Sequence, residues 1–99
     1  MVKKEEARKY LCDCAPEQCF WLSNGAILKN LDDFANVLPE MSDEAYGYHV
    51  SRDKNDFQKW VADVIGDKKL AGELSSAKNK YSALKKVRSR LISLKKLAS

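Results

Sequence analysis

The chain has 99 residues, which is enough for one domain with a modest hydrophobic core. Its apolar fraction of 44% and its charged fraction of 32% are ordinary for a soluble globular protein. No apolar run approaches the roughly 18 residues of a membrane span, and the charged N-terminus lacks the apolar stretch of a signal peptide. We therefore expect a cytoplasmic protein that has no membrane partner.

The net charge of +4 conceals a strong asymmetry along the chain. Residues 75–99 contain eight Lys and Arg residues and no acid, which gives this segment a charge of +8. Residues 1–74 contain ten Lys and Arg residues and all 14 acids, which gives a charge of −4. A basic segment on a mildly acidic body indicates either an anionic partner or a segment that folds back onto the body.

The first predicted segment, residues 1–18, is a short helix followed by a turn that contains cysteines. Residues 3–11 have a helical composition, and Tyr10 and Leu11 would contact the rest of the protein. Pro16 is compatible with an extended turn, and also with the first residue of a single helical turn.

The second predicted segment, residues 19–74, begins with a β-hairpin. Asn24-Gly25 lies between the apolar runs 20–22 and 26–28. This is a strong hairpin signal, because both turn residues tolerate a positive φ. A two-stranded hairpin is marginally stable by itself, so we expect it to pack on helices.

Four short helices are predicted after the hairpin, each preceded by a residue that favours the N-cap position. These N-cap residues are Asn30, Ser42, Asn55 and Asp67. The clearest helix spans residues 56–66, because its apolar residues recur at i, i+3, i+4, i+7 and i+8, and Gly66 can end it in the left-handed conformation. The expected core consists of Phe34, Leu38, Tyr48, Phe57, Trp60, Val61, Val64, Ile65, Leu70 and Leu74.

The third predicted segment, residues 75–99, is a basic amphipathic helix over about residues 76–97. Apolar residues recur there every three or four positions, at Ala77, Tyr81, Leu84, Val87, Leu91, Leu94 and Ala98. The helix either docks on the body through Leu84, Val87, Leu91 and Leu94 or extends away from it. The predicted fold class is therefore mostly α, a small helical bundle with an N-terminal β-hairpin and a long basic C-terminal helix.

Residues 19–74 carry a series of motifs in a distinctive order. An aromatic hairpin with Asn24-Gly25 is followed by Leu28-Lys29-Asn30-Leu31-Asp32-Asp33-Phe34, Met41-Ser42-Asp43-Glu44, Tyr48-His49-Val50 and Asn55-Asp56-Phe57-x-x-Trp60-Val61. With these motifs in this order, the segment resembles an uncharacterised family of small prokaryotic, largely archaeal, helical domains with a His…Asn-Asp-Phe-x-x-Trp-Val pattern. The resemblance implies a mostly helical domain and no established activity, so it assigns no catalytic residues.

The basic helix supplies the leading candidate for a binding site. Its cations are Lys78, Lys80, Lys85, Lys86, Arg88, Arg90, Lys95 and Lys96. Such cations on a helix can neutralise phosphates and give sequence-independent, salt-dependent binding. A run of charge is ordinarily a solvated face, although exposed helices usually mix both signs. The sequence also allows packing on the acidic body, a self-pairing coiled coil, or a membrane-surface helix without Trp or Phe anchors.

Cys12, Cys14 and Cys19 could join His49 in a Cys3His zinc set. The cysteine spacing differs from the paired Cys-x2-Cys arrangement of zinc knuckles, so we expect free thiols, no metal and no cofactor. His49 is expected to be a structural residue at a helix end, because no nucleophile or substrate pocket accompanies it in the sequence.

The two tryptophans could stack on the bases of single-stranded nucleic acid. Trp60 lies on the apolar face of the clearest helix, so we expect it in the core. Trp21 neighbours Phe20 on a predicted strand, and consecutive strand residues point to opposite faces. One of these two side chains therefore faces away from the core, and the sequence leaves open which one.

No glycine-rich phosphate loop, nucleophile elbow or metalloprotease helix is present in the sequence, so we do not expect an enzyme. The pattern predicts a chromatin- or ribosome-associated protein whose basic helix contacts DNA or RNA. A second hypothesis is a protein-interaction or regulatory module that docks on a protein partner, such as an acidic one, through the hairpin aromatics and the apolar face of the C-terminal helix.

Overall fold

The computed structural model describes residues 2–23 and 25–99, and most of these residues are helical. The α-helices are α1 (Lys4–Leu11), α2 (Leu31–Val37), α3 (Asp43–His49), α4 (Asp56–Trp60), α5 (Lys68–Ser75) and α6 (Lys80–Ala98). Single 3-10 turns span Pro16–Gln18 and Leu38–Glu40, and the strands are β1 (Phe20–Trp21) and β2 (Ile27–Leu28). The predicted fold class is confirmed. In the described part of the chain, no helix is both long enough and apolar enough to cross a bilayer.

The hairpin is antiparallel, with Phe20 opposite Leu28 and Trp21 opposite Ile27. Phe20 and Leu28 pack against the core, whereas 65% of Trp21 and 43% of Ile27 is exposed. The question that the sequence left open is thereby answered, because Trp21 is the aromatic residue that faces away from the core.

The turn of the hairpin contains a glycine in the left-handed region. Gly25 has φ +91°, a conformation that glycine adopts without steric cost. The Leu22 amide donates to the Ala26 carbonyl at 2.8 Å, which closes the turn. The other half of the predicted turn signal, Asn24, lies outside the described residues.

All four predicted N-caps are confirmed. The side-chain oxygens of Asn30, Ser42, Asn55 and Asp67 each accept a hydrogen bond from the amide three residues further on. Each bond satisfies an amide that would otherwise have no partner within the helix, a contribution of about 1 kcal/mol to stability. The helix boundaries near the hairpin and the centre of the chain therefore follow from local sequence.

The central helix departs from regular α geometry at its C-terminal end. It continues from α4 as a π-helical turn over Val61–Ile65, and Gly66 ends it at φ +91°. A π-helical turn holds more residues than an α-helical one, so side chains along it rotate away from the strict 3.6-residue face. The predicted core positions Phe57, Trp60, Val61 and Ile65 are buried, whereas Val64 is only partly buried.

The prediction that Tyr48 belongs to the core is wrong. Tyr48 is 64% exposed, and Tyr46 and His49 are buried in its place. Residues three positions apart share one face of a helix, which places Tyr46 and His49 together on the inner face of α3. His49 occupies an interior position because both of its ring nitrogens have polar partners.

The C-terminal helix docks on the body, which is one of the two arrangements that the sequence allowed. Its buried apolar residues are Ala83, Leu84, Val87, Leu91 and Leu94. It packs mainly along α1, and the Arg8 Nε atom donates to the Ala98 carbonyl at 3.2 Å near its C-terminal end. Residues from all three predicted segments contribute to one core.

The start of α6 differs from the prediction. The helix begins at Lys80 rather than near residue 76, because Asn79 acts as its N-cap and accepts a hydrogen bond from the Ser82 amide at 2.9 Å. Tyr81, which the sequence pattern placed on the buried seam, is in fact 63% exposed.

Candidate nucleic-acid interface

Arg90 belongs to the interior rather than to the surface of α6. It is 8% exposed, and Asp67, its partner, is 1% exposed. The Arg90 Nε atom donates to Asp67 Oδ2 at 2.7 Å, and Nη2 donates to Oδ1 at 3.0 Å. The hydrogen bonds to Asp67 raise the pKa of Arg90, although burial acts in the opposite direction. This guanidinium is therefore engaged within the fold and does not reach a phosphate.

Lys80 is also turned inward. Its side chain is buried, and the Nζ atom donates to the backbone carbonyl of Met41. The same ammonium lies 5.1 Å from the centroid of the Tyr81 ring, within the range of a cation–π contact. Lys80 and Arg90 thus bind α6 to the body. Neither of them belongs to the candidate phosphate-binding set.

The other six predicted cations reach solvent, although Lys86 does so only in part. They are Lys78, Lys85, Lys86, Arg88, Lys95 and Lys96. The solvent-facing side of α6 therefore keeps most of the positive charge that the sequence indicated, without any acid on the helix itself.

Four of these cations share one face of α6 with two exposed apolar side chains. We call this set, spaced by three or four residues, the basic ridge: Tyr81, Lys85, Arg88, Ile92, Lys95 and Lys96. Tyr81 is 63% exposed and Ile92 is 60% exposed. At 1.5 Å per residue, the ridge runs for about 22 Å along the helix. It therefore combines positive charge with apolar contact area over a length that suits an extended ligand.

The positive charge of the basic ridge is little neutralised by the rest of the protein. In the described part of the chain, Lys95 alone among the ridge cations forms an ion pair, with its Nζ atom 2.9 Å from Asp32 Oδ1. Both of these side chains are about half exposed, so the pair contributes little and is easily exchanged for another anion. Lys86 lies on another face of the helix, and together with Lys85 of the ridge it borders a shallow depression that also contains Glu73.

A groove of about 610 Å³ adjoins the basic ridge at the start of α6. Its walls are formed by one side of α3, by residues 50–52 and by residues 77–81. Arg52 and Lys78 bring positive charge to this groove, and Asp43 brings one negative charge. Tyr81 belongs both to the groove and to the ridge, so the two form one continuous surface.

His49 is a structural residue, in agreement with the sequence-based expectation. Its Nε2 atom accepts from the Ser23 amide at 3.2 Å, and Nδ1 lies 3.1 Å from Asp56 Oδ2. Because Nε2 acts as an acceptor, the proton of the neutral ring belongs on Nδ1 and is donated to Asp56. Partial burial favours a higher pKa for Asp56, but hydrogen bonds from His49 and Lys54 outweigh it and lower that pKa. His49 therefore links the hairpin to α3 and α4.

The four residues of the candidate zinc set do not assemble into one site. The Cys14 and Cys19 sulfurs lie 3.6 Å apart, whereas Cys12 is exposed and its thiol donates to the Arg8 carbonyl at 3.1 Å. Both nitrogens of His49 are already engaged. Across residues 2–23 and 25–99, no cluster of three or more side chains is arranged to hold a metal ion.

Trp60 is a core residue, as the helical pattern predicts. Its ring packs edge-on against Phe20 and Phe34, and Nε1 donates to the Gln18 carbonyl at 2.9 Å. It is therefore not accessible for stacking on a base.

The sequence reasoning missed the contribution of Tyr81 and Arg52 to the candidate surface. The N-cap signal of Asn79 would have placed Tyr81 in the first turn of α6.

Comparisons with known proteins find neither a curated protein nor a solved structure that matches this chain. A family of unknown function, DUF5752, matches residues 14–96. This finding confirms the expectation of an uncharacterised domain, whereas archaeal origin and the His…Asn-Asp-Phe-x-x-Trp-Val pattern stay predictions. Because the match covers most of the chain, including the hairpin, the central helices and nearly all of α6, the protein belongs to the DUF5752 family of unknown function.

Proposed function

We propose that this protein is a non-enzymatic nucleic-acid-binding protein, chromatin- or ribosome-associated in a prokaryotic cytoplasm, that holds phosphates on the basic ridge. The observation that carries the proposal is the arrangement of Lys85, Arg88, Lys95 and Lys96 on one solvent-facing side of an acid-free helix. The opposite side of α6 is fixed in the core by Val87. The cations are thus held in a row on a rigid support.

The electrostatics of this surface determine the expected kind of binding. Each phosphate that a cation neutralises releases condensed counterions, which lowers the slope of log K against log salt by about 0.9 for duplex DNA. Four ridge contacts therefore give a slope of about −4 and a loss of about 100-fold in affinity between 50 and 200 mM salt. Phosphate contacts carry no sequence information, so specificity should be low.

The helix that carries the basic ridge has dimensions that fit the major groove of duplex DNA. An α-helix fits into the major groove of B-form DNA, which is about 12 Å wide. Because the inner face of α6 is covered by the body, only the ridge side can enter such a groove. Tyr81 and Ile92 would then supply apolar contacts between the phosphate-binding cations.

A protein-interaction module is the second candidate function, and one observation favours it. Trp21 and Ile27 form an exposed apolar pair across the two strands of the hairpin. The apolar face of α6, however, is already covered by the protein's own core. A partner protein would therefore have to dock on the hairpin, or on the ridge through charge complementarity with acidic residues.

The experiment that tests the proposal compares two charge-matched variants of the full chain. The ridge variant carries Lys85→Gln, Arg88→Gln, Lys95→Gln and Lys96→Gln. The control variant carries Lys4→Gln, Lys59→Gln, Lys68→Gln and Lys69→Gln, which are exposed cations outside the ridge. Both variants have the same net charge, so a difference between them reports the position of the charge.

Binding is measured by fluorescence anisotropy with labelled mixed-sequence duplexes and single strands at about 50 mM salt. We expect the ridge variant to lose about 100-fold in affinity, and the control to lose less than about tenfold. Equal losses in both variants would show that net charge alone drives binding. The absence of binding by the unmodified protein would direct attention to the hairpin as a protein-docking site.

A further inference from the structure

Two of the three cysteines face each other across a single turn of the chain. The Cys14 thiol donates to the Cys19 sulfur, with 3.6 Å between the two Sγ atoms. The Cys19 thiol in turn lies 3.6 Å from the carbonyl oxygen of Ala15, to which it can donate. The segment between the cysteines is Ala15 followed by the 3-10 turn Pro16–Gln18, and this turn brings the two side chains together.

This turn is anchored to the body at both ends. The Cys14 amide donates to the Lys29 carbonyl at 2.8 Å, next to the second strand of the hairpin. The Gln18 carbonyl accepts a hydrogen bond from Trp60 Nε1 at 2.9 Å. The backbone therefore holds the two sulfurs opposite each other. An S–S bond is about 2.05 Å long, so its formation requires the sulfurs to approach by roughly 1.5 Å, within the reach of side-chain rotation.

The pair is also open to a small reagent. Both cysteines are only partly buried, and a cleft of about 230 Å³ reaches Cys14 from the side of α1. Burial and the hydrogen bond to Cys19 raise the pKa of Cys14 to about 11, so Cys14 keeps its proton at neutral pH. Because the Cys14 thiol donates to the Cys19 sulfur, Cys19 is the sulfur placed to react first, with Cys14 positioned to resolve the product.

We propose that Cys14 and Cys19 are a redox site that forms a reversible intramolecular disulfide on exposure to hydrogen peroxide. The Cys19 thiolate attacks one peroxide oxygen, the O–O bond breaks, and Cys19 sulfenic acid and hydroxide are produced. The Cys14 sulfur then displaces the sulfenic oxygen as its thiol proton is lost, which forms the S–S bond and releases water. In sum, two thiols lose two electrons and two protons, and one peroxide becomes two waters. Two equivalents of a small thiol reverse the reaction by thiol–disulfide exchange and are themselves oxidised to a disulfide.

Cys12 serves as an internal control. It precedes Cys14 by two residues, is exposed to solvent, and its thiol is directed toward the Arg8 carbonyl rather than toward another sulfur. A reaction that depended only on exposure would favour Cys12. A reaction that depends on the 3.6 Å approach selects Cys14 and Cys19.

The test treats the reduced full chain and the variants C12S, C14S and C19S with hydrogen peroxide, followed by intact mass and peptide mapping. We expect the unmodified chain and C12S to lose two hydrogen atoms, with a link between residues 14 and 19 that a small thiol removes. C14S and C19S should not form this link. The oxidised form of C12S should melt about 10 °C above its reduced form, because closure of the short loop restricts the unfolded chain.

Several outcomes would overturn the inference. The link could map to Cys12, or C14S and C19S could lose two hydrogen atoms as readily as C12S. The unmodified chain could proceed to sulfinic acid without ever forming the link. Circular dichroism of each reduced variant shows whether it is folded, and C14A and C19A replace any serine variant that is not. The inference is independent of the nucleic-acid proposal, since no ridge residue takes part in it.

Discussion

Removal of one partner from the buried Asp67–Arg90 pair should weaken the attachment of α6 strongly. Asp67 has two roles, because it caps α5 through the Leu70 amide at 3.2 Å and also receives both hydrogen bonds from Arg90. The variant Asp67→Asn separates these roles, since asparagine is as good an N-cap as aspartate. What this variant removes is the negative charge that compensates a buried guanidinium.

The expected loss is large compared with the whole stability of a domain of this size. Breaking a buried ion pair by removing one partner costs about 3–5 kcal/mol, against a total free energy of unfolding of about 5–15 kcal/mol. Because the asparagine oxygen can still accept one hydrogen bond from Arg90, we expect a loss at the lower end, about 3 kcal/mol. With an m-value of about 1.5 kcal/mol per molar urea, the unfolding midpoint falls by about 2 M.

The assay is urea unfolding followed by far-UV circular dichroism, for both single variants and the double variant. Arg90→Met alone leaves a buried carboxylate without its cationic partner and should cost a similar amount. The combination of Asp67→Asn with Arg90→Met removes both charges, so it should cost clearly less than the sum of the two single changes. The reasoning is refuted if each single variant loses less than about 1 kcal/mol, or if the losses simply add.

Three further predictions concern packing, pH and the hairpin. Leu94→Ala, at a fully buried site, should cost about 3 kcal/mol in urea unfolding, whereas Ile92→Ala on the exposed face should change stability by less than about 0.5 kcal/mol. The folded-state pKa of Asp56 lies below its unfolded value, so its contribution is present above about pH 4 and is lost as the pH falls through the lowered pKa. Asp56→Asn should therefore be less stable than the parent at about pH 7 but not at about pH 2, and an equal deficit at both values would contradict the assignment. Trp21→Ala should leave the nucleic-acid affinity within about threefold in anisotropy titrations, and a much larger loss would move the interface to the hairpin.

Local signals in the sequence predicted much of the fold. The caps at Asn30, Ser42, Asn55 and Asp67 act on amides three residues away, so the information that specifies each helix start is contiguous in the chain. The same principle explains why α6 was predicted to begin too early. Ala77 fits the apolar periodicity of the helix, but the helix begins only after the cap at Asn79.

The candidate site was harder to predict, because the role of a charged side chain depends on what packs against it. Lys80 and Arg90 cannot be distinguished from Lys85 and Arg88 by residue type. Their inward orientation follows from the positions of Met41 and Asp67, which lie 39 and 23 residues away along the chain. The close approach of Cys14 to Cys19 likewise depends on a helical turn at Pro16, which the sequence allowed together with an extended turn.

The docking of α6 also determines how the function should be tested. Deletion of residues 76–99 would remove the fully buried Val87 and Leu94 along with the cations. The truncated body would expose its core, and a loss of binding would then reflect unfolding. Substitutions on the basic ridge avoid this ambiguity, because their side chains point to solvent.

The central claim, that the basic ridge binds phosphates, is tested most directly by the salt dependence of binding. The affinity of the full chain for a labelled DNA duplex is measured from about 50 to about 300 mM salt. We predict that log K falls linearly with log salt with a slope of about −4, and that the slope of the ridge variant is close to zero. A parent slope near zero, or an unchanged slope in the ridge variant, would contradict the proposal.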